Sequence, residues 1–135
     1  MKKYTLLLIV ALCSTAARSQ CEQSMLAAEK AMSDNFIADP QYVQGLLSNA
    51  DTLRFESIWL ANNTYRIASS GTEKQKINIQ LFDQNNNSIF NNSEFNYPAD
   101  WDFFVEQSMK VRCVVRPVIE TNEAICVTVL TGFKK

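Results

Sequence analysis

Asp83, Asn85, Asn87, Asn91 and Glu94 stand at the first, third, fifth, ninth and twelfth places of one twelve-residue stretch. That is the oxygen-ligand spacing of a helix–loop–helix calcium site. Such a loop turns sharply on a glycine at its sixth place and lies between helices; here the sixth place is Ser88, and the preceding "INIQLF" alternates like a strand. The stretch therefore predicts the tip of a β-hairpin, where asparagine is favoured because it tolerates positive φ and bonds its own backbone. A calcium site of another kind at Asp83, Asn85, Asn87 and Glu94 would have two carboxylates and bind in the ~10⁻⁴–10⁻³ M range of extracellular sites. No other cofactor is expected.

Other carboxylates fall in pairs, Asp100/Asp102 and Glu120/Glu123. Two carboxylates in a cleft can serve glycoside hydrolysis, so a small hydrolase using Asp100, Asp102 or Glu106 is one alternative. Histidine is absent altogether, which removes the commonest general base, the commonest zinc ligand and every Ser-His or Cys-His pairing. Neither a phosphate-binding glycine loop nor a nucleophile elbow occurs. The expectation is a protein that is not an enzyme. The stretch "FNNSEFNYPADWDFF" is dense in aromatic rings with amides between them. Trp101 and Phe103 alternate as core residues do, whereas Phe95, Tyr97 and Phe104 fall in a loop or on the opposite strand face. These last three are the candidate binding residues, suited to stacking on a sugar, and a carbohydrate-binding module is the second alternative.

The elements that must position these groups are mostly strands. "TLRFESIWL", "NNTYRIASSG", "KINIQLFD", "WDFFVEQ", "KVRCVVRPVI" and "AICVTVLTGF" each alternate apolar with polar side chains and are bounded by turn residues. Without helical stretches between them, they predict an antiparallel β-sandwich, in a mainly β chain. Pro117 places its strand at an edge or bulge, and "ETNE", Glu120 to Glu123, reads as a hairpin turn joining the last two strands. One short helix is expected before them, about Glu22 to Ser33, with Met25, Ala28, Met32 and Phe36 at helical spacing on its apolar stripe.

The first residues, "MKKYTLLLIVALCSTAARSQ", combine two lysines, a short apolar run and a small-x-small cleavage pattern, so residues 1–19 read as a secretory signal peptide and 20–135 as a single domain. The apolar run is shorter than a bilayer requires, and no other stretch resembles a span. Of the 13 basic residues, Lys2, Lys3 and Arg18 leave with the signal, so ten remain against 14 acids, a net charge of −4 with no electrostatic footprint for nucleic acid. Periplasmic and extracellular destinations both fit.

Export implies an oxidising compartment. With Cys13 in the signal, Cys21, Cys113 and Cys126 remain. Alternation turns Cys113 toward the core and Cys126 away from it, and in a terminal hairpin the two would not be opposite each other. The expected bridge is therefore Cys21–Cys126, tying the helix over the outer face of the last strand, with Cys113 a buried thiol. A Cys113–Cys126 bridge, an intermolecular disulfide and three free thiols remain open.

The order of "NNTYRIASSG", "INIQLFDQNNNSIF", "DWDFFVEQ" and "AICVTVLTGF" resembles that of bacterial pre-peptidase C-terminal-like domains and related small exported sandwiches. The resemblance covers about Thr52 to Phe133. It implies a jelly-roll-like sandwich acting as an accessory or binding module of the cell envelope, with no catalytic residues to carry over and with an envelope protein or glycan as partner.

Overall fold

The computed structural model describes residues 19–71, 75–120 and 122–135. The expected signal peptide lies almost wholly outside them. A helix, α1, runs over 19–32 among the described residues. Nine strands follow: β1 Phe36–Ala38, β2 Val43–Leu47, β3 Leu53–Trp59, β4 Asn63–Ser70, β5 Lys76–Phe82, β6 Ser88–Asn91, β7 Asp100–Val105, β8 Met109–Val118 and β9 Ile125–Lys134. A 3-10 turn, Asn92–Phe95, separates β6 from β7.

The strands form two antiparallel sheets. One has the order β1-β9-β4-β7, with β2 also on β9, and the other has the order β3-β8-β5-β6. The pairs β2/β9, β3/β8, β4/β7 and β5/β6 are all antiparallel. The chain is thus one long hairpin, closed at the β5–β6 turn and rolled up so that its arms alternate between sheets, which is the jelly roll. The hairpin expected at Glu120–Glu123 is not formed. β8 pairs with β3 and β5, while β9 pairs with β4, β1 and β2 in the other sheet. Alternation reports which side chains point inward, but carries no information about which strand lies alongside.

Inward-facing side chains close the main core: Trp59, Ile67, Ile77, Ile79, Leu81, Val111, Cys113, Val115, Val127 and Val129 are all buried. β8 is neither the edge strand nor the bulged one that Pro117 suggests, but lies between β3 and β5. The proline is tolerated because β3 ends at Leu53, opposite Val115, leaving that flank of β8 unpaired two residues further on.

β9 is buried on both faces. Its outer side chains, Cys126, Thr128 and Leu130, lie under α1. Ala, Glu, Met and Gln favour the helix, and Ser24, Ala28 and Met32, four residues apart, are its buried stripe. Ala28, Met32, Phe36, Ala68 and Leu130 make a second, smaller core. Ser33, at φ 62°, ends the helix in the left-handed conformation. The Arg66 guanidinium then donates to the carbonyls of Ala31 and Met32, at 3.2 and 3.3 Å, satisfying acceptors that a helix end leaves open.

At Gly132 the backbone of β9 approaches β1 closely. A Cβ there would come within 2.8 Å of the Ile37 carbonyl oxygen and 2.7 Å of Met32 Sδ. The thioether can move; the paired strand cannot. Gly132→Ala is expected to cost about 1–3 kcal/mol by overpacking, read as a lowered urea midpoint with unchanged slope. An unchanged midpoint would show that β1 is free to shift.

Candidate functional site

The asparagine-rich stretch is a hairpin tip. Asp83 Oδ1 accepts from the backbone N–H groups of Asn85 and Asn87 at 2.8 and 2.9 Å, and its Oδ2 accepts from Asn87 Nδ2 at 3.0 Å. These bonds, those from Asn87 foremost, hold the Asp83 carboxyl below its ordinary range. Asn86 takes the left-handed conformation at φ 63°. Asn91 Oδ1 instead faces Asn78 and the Ser93 N–H, and Glu94 lies in the 3-10 turn at the far end of β6. The intervening strand thus separates Glu94 from Asp83, Asn85 and Asn87.

Asp100 and Asp102 share the outer face of β7. Both oxygens of Asp102 are engaged by Arg66, at 2.6 Å from Nε and 2.9 Å from Nη2, and Asp100 lies 3.9 Å from the same Nε. The Asp102 hydrogen bond is the main reason the Arg66 pKa is raised further. Arg66 also sits over the Phe36 ring at 4.3 Å. This carboxylate pair therefore clamps the helix end to the sheet.

A continuous row of rings closes the side of the sandwich where the edge strands β6 and β7 meet. It runs Tyr65–Trp59–Phe103–Phe90–Trp101–Phe95, with centroid separations of 5.0, 5.4, 5.0, 5.1 and 4.6 Å. Such offset and edge-on pairs are favourable arrangements for aromatic rings. The structure distributes the three predicted binding residues. Phe95 ends the row, half exposed against Trp101; Tyr97, at φ 56°, lies beneath Lys76 Nζ at 5.4 Å; Phe104 is on the opposite face of β7, at its other end.

Phe104 belongs to a cleft that sequence reasoning did not find. The β3–β4, β5–β6 and β7–β8 turns gather at one end of the jelly roll. The β3–β4 and β7–β8 turns are tied to each other where Ala61 N–H donates to Ser108 Oγ at 2.9 Å and Asn62 N–H to the Val105 carbonyl at 2.6 Å. Between them lies a cleft of about 530 Å³. Trp59, Phe103 and Met109 line it from the core side, and Asp83, Gln84, Glu106 and Gln107 give it a polar wall. Ile89 and Phe104 also line it, 44% and 64% exposed, and Leu60 in the adjoining turn is 58% exposed. The Trp59 side chain is buried, and among the described residues its indole N–H has no hydrogen-bond partner. The signal in the sequence was the apolar Leu60, two residues before Asn62 at the turn, a residue that alternation alone cannot assign.

The cysteine pairing is as expected: Cys21 and Cys126 are bridged, 105 residues apart in sequence, and Cys113 is free and buried. The reason differs in part, since Cys113 and Cys126 belong to different sheets rather than to one hairpin. Burial pushes the Cys113 thiol well above its ordinary pKa and leaves it inert. No helix among the described residues is long and apolar enough to cross a membrane.

No family model matches the chain, and no curated protein matches it. Among solved structures it is similar to Aeromonas hydrophila PliG, a periplasmic lysozyme inhibitor of g-type lysozyme. The TM-score is 0.54 at 15% sequence identity, over 70% of this chain and 85% of that one. At that identity the likeness is one of fold.

Proposed function

We propose that this chain is an exported, non-catalytic module that binds a protein of the cell envelope through the loop end of its jelly roll. The observation that carries this is the cleft. Ile89 and Phe104 stand exposed around an aromatic floor, with exposed Leu60 in the adjoining turn, and clustered apolar exposure of that kind marks a docking surface. A partner side chain entering it would bury Ile89 and Phe104 against the aromatic floor. The bridge between Cys21 and Cys126 agrees with an oxidising compartment. The fold shared with a periplasmic lysozyme inhibitor makes a lysozyme-class hydrolase the first partner to test. The resemblance to pre-peptidase C-terminal-like domains points the same way, to an accessory module.

The test is inhibition of a g-type lysozyme, read as the rate of cell-wall lysis against added protein. Leu60→Asp and Phe104→Asp are expected to weaken inhibition by at least tenfold without changing the thermal midpoint, because both side chains already face water. Absence of inhibition by the unaltered protein would remove the lysozyme partner. Equal inhibition by both variants would remove the loop end as the docking site.

A glycan-binding alternative rests on a separate observation, the half-exposed Phe95 ring against Trp101. It requires glycan-array binding that Tyr97→Ala abolishes.

A further inference from the structure

Helix α1 covers the outer face of the β1-β9-β4-β7 sheet, while the strands of the β3-β8-β5-β6 sheet present exposed side chains on theirs. Register organises that second face around Val114. Arg54 of β3 lies beside Val114 on one flank and Gln80 of β5 on the other. Arg112 and Arg116 precede and follow it along β8, each roughly 7 Å away at the two-residue spacing of a strand. Val114 is itself buried, and the side chains around it enclose a groove of about 330 Å³. The Phe82 ring lies against Arg112, 5.1 Å from its guanidinium carbon.

With Lys76 and Lys110, this face holds five of the ten basic residues that follow Ser19. Its strands contribute one carboxylate, Glu56, which pairs with Lys110 at 2.7 Å. Among the described residues, no carboxylate stands within 4.0 Å of Arg54, Arg112 or Arg116. Three like charges this close repel one another; Glu56 stands across from Arg112 in the register but is bonded to Lys110. Planar guanidiniums bind phosphate, sulfate and carboxylate groups through paired N–H donors.

We infer that this groove is a second binding site, for an anionic saccharide. The guanidiniums would hold its charged groups, the Gln80 amide would bond its hydroxyls, and the Phe82 ring would meet an apolar sugar face. An acidic peptide is a poorer match. Extended peptides gain affinity by adding to a sheet edge, and β8, at the centre of the groove, is flanked on both sides by paired strands. Recognition here is left to side chains. The site does not depend on the protein-binding reading of the loop end, from which it differs in residues and in charge.

The experiment measures binding of the mature protein to heparin, with neutral dextran and polyglutamate as comparison ligands. Heparin is expected to bind despite the net negative charge of the protein, and Arg54→Gln/Arg116→Gln to weaken it by at least tenfold. Lys134→Gln, away from the groove, is expected to change affinity less than twofold. Arg54→Lys/Arg116→Lys keeps the charge without the planar fork and is expected to bind at intermediate strength, which also shows that loss in the glutamine variant is not unfolding. Heparin binding no tighter than dextran, polyglutamate binding as tightly as heparin, or full affinity in either double variant would each overturn the assignment.

Discussion

Replacing both bridged cysteines, Cys21→Ala with Cys126→Ala, is expected to lower the thermal midpoint by roughly 10–20 °C, equivalent to about 4–5 kcal/mol. The bridge joins residues 105 apart, so in the chain-entropy model it withdraws close to the largest loop-closure entropy that this chain offers. It also fixes α1 where the rest of its contact is thin. The second core is made of two alanines, a methionine, a phenylalanine and a leucine. The polar contacts that hold the helix are the Ser24 hydroxyl with the Ser70 carbonyl at 2.9 Å and Thr128 Oγ1 at 2.8 Å, Gln44 Nε2 donating to the Cys21 carbonyl at 3.0 Å, and Arg66 donating to the carbonyls of Ala31 and Met32. Detachment of the helix would bare Thr128, Leu130 and Ala68 together. Helical ellipticity is therefore expected to melt before the strand signal in the double variant and together with it in the oxidised protein. A double variant with an unshifted midpoint would mean that the small core alone holds the helix.

The second large effect is expected at Asn92, which is 1% exposed where β6 gives way to the 3-10 turn. Its amide acts as a further peptide unit of the sheet. Oδ1 accepts from the Ile79 N–H at 2.8 Å and from Asn78 Nδ2 at 3.1 Å, and Nδ2 donates to the Ile77 carbonyl at 2.8 Å. Asn92→Leu leaves the Ile79 N–H and the Ile77 carbonyl without this partner, each worth about 1–3 kcal/mol, while Asn78 Nδ2 keeps Asn91 Oδ1, so a total loss of roughly 3–5 kcal/mol is expected. Asn92→Asp separates the donor from the acceptor. Burial raises the folded-state pKa of such a carboxyl above its unfolded value, so the folded state binds the extra proton and stability falls as pH rises through that interval. The aspartate variant should therefore recover part of its loss in acid, while the leucine variant should not. Urea midpoints at neutral and acid pH measure both, and parallel behaviour of the two variants would refute the role given to Nδ2.

Asn92 also shows where sequence reasoning stops. The stretch around it was legible as a turn, because asparagines cluster where the backbone bends, and Asn62, Asn86 and Asn96 all take positive φ. Nothing in the local sequence distinguishes these three, whose backbone conformation is the point, from Asn92, whose side chain completes a ladder on β5. The difference is made by an element more than ten residues away. The short strands β1 and β2 were missed for a similar reason: Phe36–Ala38 and Val43–Leu47 are too brief to show a period, and they become strands by pairing with β9.

What the sequence determined by itself was the orientation of side chains. Period two in six segments identified Trp59, Ile67, Leu81, Val115 and Val127 as interior and turned Cys126 outward toward Cys21, because the pleat makes alternation a local property. The lack of histidine likewise bounded the chemistry without any coordinates. Only the tertiary structure decided which strands are neighbours, and hence that β8 and β9 part into different sheets. It also decided that three turns meet around Trp59 to form a cleft and that three arginines surround Val114. Those arrangements arise from pairing across tens of residues, which hydrogen bonds between generic backbones permit in many orders and which only the packing of the whole core selects.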